Sequence, residues 1–156
     1  MKLAIGSDER THLTDYVLEE LSTRGHAVEL CGPLRGDNET WVAVAQKVAE
    51  RVACGQADEA ILFCWTGTGV SIAANKVPDI RAALVHDAET ARRARLWNRA
   101  NVLCLSLRAT SEIIAREILD AWFATPFGTD PADVQCVAQV GEIETKYSRR
   151  GDTATR

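Results

Sequence analysis

The chain has 156 residues, 46% of them hydrophobic and 26% charged, the composition of an ordinary soluble globular domain long enough to bury a core without metals or disulfides. A net charge of −4, with acids and bases interspersed, leaves no basic face for nucleic acid. No apolar run approaches the roughly 20 residues of a membrane span, and the opening MKLAIGSDER turns polar too early for a signal peptide, so a cytoplasmic protein is expected.

In chain order, residues 2–6 (KLAIG) predict a strand and residues 13–24 an amphipathic helix stopped by Gly25. Residues 26–30 predict a second strand, followed by a loop of Gly, Pro and Asx residues at 31–39. From 41 to 53 apolar residues recur at helical spacing, with Gly55 as the stop. EAILFC (59–64) has little polar alternation, as a strand covered on both faces requires. A short helix at 69–75 and a fourth strand at 80–85 follow. Asp87 caps a helix to about Leu96, 101–106 is the fifth strand, and helices are predicted at 110–123 and 132–147. The polar tail 148–156 is expected to fray.

Five strands alternating with helices predict an α/β fold. The expected arrangement is one domain over 1–147, a three-layer α/β/α Rossmann-like sandwich around a five-stranded parallel sheet. Ligands of such sheets bind beyond the carboxyl ends of the strands. That rim takes in residues 6–10, 32–41, 64–69, 86–87 and 107–108.

Five cysteines are an odd number without a C-x-x-C pair, and His12, His26 and His86 have no ligand spacing with them. Reduced thiols are expected, with no metal. Cys31, Cys54, Cys104 and Cys136 read as buried small hydrophobes. Cys64 differs: it ends a strand directly before Trp65-Thr66-Gly67-Thr68-Gly69. Two glycines let the backbone approach a ligand, and amides at a helix start stabilise a phosphate or a developing oxyanion. Beside such amides a thiol serves as base or nucleophile. The same spacing also fits a tight turn around a structural cysteine.

CWTGTGVSIAANKVPDIRAAL (64–84) strongly resembles the signature of the type B ribose-5-phosphate isomerases and the related galactose-6-phosphate isomerase subunits, Cys-Gly-Thr-Gly-x-Gly-x-Ser-Ile-Ala-Ala-Asn-Lys. IGSD near the start, NRANVLCL at 98–105, Arg108 and DAWF at 120–123 also match, so the resemblance runs to about residue 125. It implies an aldose–ketose isomerase without cofactor, acting through a cis-enediolate, with Cys64 as base and Thr66 assisting. It further implies that the amides of Gly67, Thr68, Gly69, Val70 and Ser71 hold the enediolate oxygen, and that Asp8 binds substrate hydroxyls. Asn98 would reach into a neighbouring subunit's site, within a homodimer or homotetramer. Arg108 would contact a phosphate.

The chain departs from the pattern around the site. Ser-Asp-His-Ala-Gly is here Ser7-Asp8-Glu9-Arg10-Thr11, and Asp-Tyr-Pro is Thr40-Trp41-Val42. Trp65 replaces a glycine, Trp97 stands where the ring-opening histidine is found, and the phosphate-clamping Arg/His cluster is missing near 131–135. Trp41, Trp65 and Trp97 read as a remodelled rim or as interface packing. Glu9 and Arg10 read as substitutes for lost histidine functions, with Arg10 on an anion, or as a solvated loop. His12 is expected on the first helix, His26 on the surface and His86 on the rim. These departures predict a non-standard substrate, such as a short, open-chain ketose or a carboxylated derivative. The alternative is a non-catalytic ligand-binding member, or a partner subunit of an active paralogue.

Overall fold

A computed structural model describes residues 1–148; most of the tail expected to fray, 149–156, lies outside the described residues. Five strands, β1 (Lys2–Ser7), β2 (Ala27–Cys31), β3 (Glu59–Cys64), β4 (Ala82–Leu84) and β5 (Val102–Ser106), form one parallel sheet in the order β2-β1-β3-β5-β4. Six helices connect and cover them: α1 (His12–Thr23), α2 (Trp41–Ala53), α3 (Thr68–Ala74), α4 (Ala88–Asn98), α5 (Glu112–Ala124) and α6 (Pro131–Ser148), with a 3-10 turn at Gly32–Leu34. This is the expected three-layer α/β/α sandwich.

Alternation along the central strands separates two cores. Leu3, Ile5, Ile61, Phe63, Leu103 and Leu105 face α1, α4 and α5, where Trp122 is the largest buried side chain. Ala4, Leu62, Val102 and Cys104 face α2 and α3, on Val44, Val48, Val70 and Ala74. All six residues of β3 are buried, so EAILFC contains no polar alternation because neither face meets water.

The boundaries shift where side chains compete for the backbone. The fourth strand is shorter than expected, Ala82–Leu84, and it starts late where the Arg81 amide donates to the Asn101 side chain rather than to a ladder partner. The fifth helix begins at Glu112, since Ser111 caps it through the Ile114 amide. Pro131 opens α6, where its missing N–H costs nothing.

Two cysteine expectations fail. Cys31, Cys64 and Cys104 are buried, but Cys54 and Cys136 are exposed. Cys54 sits at the C-cap of α2, past its last buried turn, and α6, which carries Cys136, leans on α4 outside both cores. Among the described residues no helix is long and apolar enough to cross a membrane.

One glycine sets the spacing of the second layer. A Cβ at Gly6 would lie 2.5 Å from Val44 Cγ1 and 2.8 Å from Val48 Cγ2, so α2 rests directly on the backbone of β1. Gly6→Ala is expected to lower stability by about 1–3 kcal/mol through overpacking. Denaturant unfolding checks this, and in a Val44→Ala background the same substitution should cost clearly less. Equal cost in both backgrounds would show that contact with Val44 is not the cause.

Candidate active site

The chain leaves β1 for β2 on one side and returns to β3 on the other, so the crevice of this sheet opens between the carboxyl ends of β1 and β3. Asp8 follows β1 and Cys64 ends β3, and the topology brings them to the same edge. Cys64 is paired in register with Ser106, the last residue of β5. Beyond that pair the ladder continues through loop backbone. Leu107 N–H donates to the Cys64 carbonyl at 3.0 Å, and the Trp65 carbonyl accepts from Arg108 N–H at 3.1 Å and from Ser106 Oγ at 2.9 Å. The thiol therefore stands on backbone held from two strands, and it is only 6% exposed.

The loop then turns sharply. Gly67 has φ +76°, and a Cβ there would lie 2.5 Å from Leu84 Cδ1 and 3.1 Å from the Leu105 carbonyl, so only glycine fits. Gly67 is the N-cap of α3, which leaves the amides of its first turn facing outward without helical acceptors. Thr66 and Thr68 join their hydroxyls at 2.7 Å across this turn. The Trp41 indole lies over Gly69, whose Cβ would sit 3.1 Å from the ring, so Trp41 walls the loop. Trp65 is exposed beside the thiol. Val70 is buried under the helix and Ser71 is half-buried.

On the β1 side, Asp8 is half-buried, and its Oδ1 is buried with no hydrogen-bond partner. Burial first, then the neighbouring Glu9, pushes this carboxyl above the usual Asp range. Ser7 Oγ holds the loop by donating to the Glu9 carbonyl at 2.6 Å. Arg10 does not face the thiol alone: it is paired with Asp15 of α1 at 2.8 Å. Arg108 is exposed next to the β5 end.

Trp97 and Asn98 are not brought to this edge, which corrects the placement of Trp97 on the rim. A helix following a parallel strand runs back along the sheet. The end of α4 therefore reaches the amino ends of β4 and β5, where Ala100 and Asn101 lead into β5. Trp97 is 48% exposed, with the Arg93 guanidinium 4.8 Å from its ring. With Asn98 it lines a narrow crevice of about 110 Å³ against Arg81, Cys136, Val137 and Val140. A wider crevice, about 830 Å³ under α6 between Pro78, Asp79 and Lys146, is likewise remote from Cys64.

His86 is exposed just after β4, and His12, on α1, pairs with Glu112. His26 is not a free surface group: it is half-buried and stacked on Phe123 at 4.4 Å. The second thiol near the site, Cys104, is fully buried. Burial, then proximity to Cys64, drives its pKa far up, so it stays protonated.

Two contributors escaped the sequence reading. One is Ser106, whose hydroxyl orders the Trp65 carbonyl and also accepts from Ala109 N–H at 3.1 Å. The other is Asn75, which donates to the Ser71 and Ala82 carbonyls and accepts from the Ala82 amide at 2.8 Å, tying α3 to the edge strand. An Asn just after a helix is an ordinary cap, and only the fold shows that it bridges to β4.

A thiol at the end of the central strand, an amide-lined turn and a carboxyl with an unpartnered oxygen just after the neighbouring strand make up the candidate active site of this parallel α/β sandwich, and comparison with known proteins gives its class. The sequence profile of the family described as Ribose/Galactose Isomerase matches residues 3–140. The D-erythrulose-4-phosphate isomerase 2 of Mycolicibacterium smegmatis is 42% identical over 147 residues, covering 92% of this chain and 95% of that protein. The 4-deoxy-4-sulfo-D-erythrose isomerase of Clostridium sp. (strain MSTE9) is 28% identical, covering 97% and 100%. Among solved structures, the ribose-5-phosphate isomerase B of Clostridium thermocellum matches with a TM-score of 0.86 at 39% identity, over 94% of this chain and 99% of that one. The chain belongs to the ribose/galactose isomerase family. Within it, the protein is a sugar-phosphate isomerase of the ribose-5-phosphate isomerase B type.

The raised Asp8 carboxyl has a consequence for stability. An acid whose folded pKa lies above its unfolded value destabilises the fold at high pH, and the penalty vanishes as pH falls below the unfolded value of about 3.8. Asp8→Asn is therefore expected to melt at the same temperature as the parent or higher at pH 7. The difference should close below pH 3.8. Thermal unfolding at both pH values checks this, and a clear loss of stability at pH 7 would show that Asp8 is instead a satisfied structural carboxylate.

Proposed function

We propose that the protein interconverts a four-carbon ketose and aldose carrying an anion on C4, D-erythrulose 4-phosphate and the corresponding aldotetrose 4-phosphate, with Cys64 as the base. The observation that carries this reading is Trp97 in place of the ring-opening histidine. A five-carbon sugar 5-phosphate closes into a furanose through O4 and must be opened before C2 can be deprotonated. When O4 carries the phosphate, or C4 a sulfonate, no such ring forms and the histidine has no task. The names of two relatives, one acting on a tetrulose phosphate and one on a sulfotetrose, support the same substrate class.

In this mechanism the Cys64 thiolate removes a proton from the hydroxyl-bearing carbon next to the carbonyl and returns it to the former carbonyl carbon, while the hydroxyl proton passes to the former carbonyl oxygen. Negative charge develops on the carbonyl oxygen, where the amides of Thr68, Gly69 and Val70 stabilise it, with Thr66 assisting; the Gly67 and Ser71 amides already donate to the Cys64 and Gly67 carbonyls at 3.2 and 3.3 Å. The unpartnered Asp8 Oδ1 accepts a substrate hydroxyl, with Glu9 beside it. Trp41 and Trp65 wall the site and exclude water. Arg108 holds the C4 anion, because Arg10 is already engaged by Asp15. The site is completed in a homodimer or larger assembly in the cytoplasm, where Trp97 and Asn98 of one subunit meet the Cys64 edge of the next. Supporting this, α6 presents Val134, Val140 and Ile143 to solvent, and Trp65, Ile72 and Trp97 are exposed as well.

The decisive experiment compares kcat/KM for D-erythrulose 4-phosphate and ribose 5-phosphate, with solvent deuterium incorporation as the readout of proton transfer. The tetrulose phosphate is expected to lead by about 10²-fold or more, the size of effect that one missing transition-state donor produces. Equal constants would overturn the substrate assignment, and no exchange with either would favour a non-catalytic partner subunit.

Cys64→Ala should lower exchange by about 10²- to 10⁴-fold, as loss of a general base does, with ligand binding retained. Cys64→Ser should fail nearly as badly, since a hydroxyl is too weak an acid to supply the base. Full activity in Cys64→Ala would remove the thiol from the mechanism. Analytical ultracentrifugation at micromolar concentration should show a dimer or tetramer, and an active monomer would contradict the shared site.

A further inference from the structure

Arg81 and Arg95 converge from opposite sides on the exit of α4. We propose that they are positioning residues whose task is to fix residues 98–101, so that Trp97 and Asn98 meet the neighbouring subunit's site in one geometry. This rests on the reading that Trp97 and Asn98 serve that site.

Arg81 precedes the edge strand β4. Its Nε donates to the Arg99 carbonyl at 2.9 Å, and its amide donates to Asn101 Oδ1 at 2.8 Å. Asn101 in turn donates from Nδ2 to the Asp79 carbonyl at 2.9 Å, so the entry to β4 and the exit of α4 are laced together. From the core side, Arg95 Nη1 donates to the Ala100 carbonyl at 2.8 Å and Nε to the Thr125 carbonyl at 3.2 Å. Its Nη2 meets Glu59 Oε1 at 2.7 Å, and Glu59 Oε2 accepts from Trp122 Nε1 at 2.6 Å. Two adjacent carbonyls, of residues 99 and 100, are thus each held by a different guanidinium.

The surroundings have the cost profile of a precision device. Arg99 is left-handed at φ +49°, a conformation that non-glycine residues adopt rarely and with strain. Arg95 and Glu59 are a buried ion pair, which apolar residues often replace without loss of stability. What such a pair adds is direction: a planar fork with several donors fixes where the chain runs. Phe127 is covered by Arg95 at 4.2 Å and by Arg99 at 5.3 Å, and Gly128 packs so tightly on the Leu96 carbonyl that no side chain fits there. On the outer face, Arg93 is held by Glu89 at 2.6 Å and lies over the Trp97 ring. The bonds to the carbonyls of residues 99 and 100 lie directly after Asn98 in the chain, and none of these contacts involves Cys64 or the loop that follows it.

Subunit mixing tests this. Arg81→Met keeps the aliphatic stem but removes the donor to the Arg99 carbonyl. It is expected to lower kcat about 10- to 100-fold, the scale of a small misplacement of catalytic groups, with the dimer and its melting temperature nearly unchanged. Mixed in equal amounts with Cys64→Ala and allowed to exchange subunits, it should recover about a quarter of parental activity. Random pairing makes half the dimers hybrids, each with one site that has both a native Cys64 and a native α4 exit. No recovery would show that Arg81 acts within its own chain and would overturn the proposal. The pair Asn98→Ala plus Cys64→Ala separates the two ideas. Recovery there, without recovery for Arg81→Met, overturns the positioning role alone; no recovery in either overturns the shared site and the proposal with it. Undiminished turnover in Arg81→Met also overturns it. Should Arg81→Met fail to fold, Arg81→Lys carries the same mixing test, and so does Arg95→Met combined with Glu59→Gln, which leaves no unpaired buried charge.

Discussion

The carboxyl edge of this protein depends on the last rung of the β3–β5 ladder. Cys64 and Ser106 are opposed there, and the two chains stay joined for two more residues through the Cys64 and Trp65 carbonyls. Strand ends normally fray into mobile loops. Here the thiol's backbone cannot move without breaking hydrogen bonds to Leu107 and Arg108, and the Ser106 hydroxyl closes the same turn. The proposed mechanism needs this rigidity, because a base and an oxyanion site must keep a fixed separation of a few ångströms to work on one carbon. Gly67 completes the arrangement, because any side chain there would strike Leu84 or the Leu105 backbone and push α3 away.

Around that fixed point the molecule accepts local costs. Asp8 keeps a buried oxygen without a partner, and burial, then the neighbouring Glu9, holds the carboxyl above its usual range. Its place beside the switch between β1 and β3 gives the cost a use, since a ligand hydroxyl can supply what the protein withholds. At the other end of the sheet, Arg99 bears a strained backbone and Arg95 a desolvated charge. One costly region lies at the carboxyl edge and the other at the amino edge, the two parts that the proposed shared site joins between subunits.

That separation follows from the geometry of parallel sheets. A helix that returns from one strand to the start of the next must end at the amino edge. Side chains on its last turn lie away from the carboxyl edge of the same subunit, which is why the proposed site draws Trp97 and Asn98 from a neighbour. The exposed apolar residues of α6 and the Trp97 ring are the surface that the proposed assembly buries.

Much of this was legible along the chain. Strict burial of EAILFC, the alternation of strands with amphipathic helices and the Thr-Gly-Thr-Gly turn after Cys64 are local patterns, and hydrophobic period and turn chemistry decide them. The sequence by itself determined the layer architecture, the family and the thiol at a strand end beside helix-start amides. It did not determine which cysteines are exposed, because Cys54 and Cys136 sit in helical patterns whose burial depends on what packs against them. Nor did it determine that Trp97 faces away from the loop it was grouped with, that His26 stacks on Phe123, or that Asn75 bridges α3 to β4. Those are contacts between residues far apart in the chain or on different layers, and only the direction in which each helix crosses the sheet brings such groups together or keeps them apart.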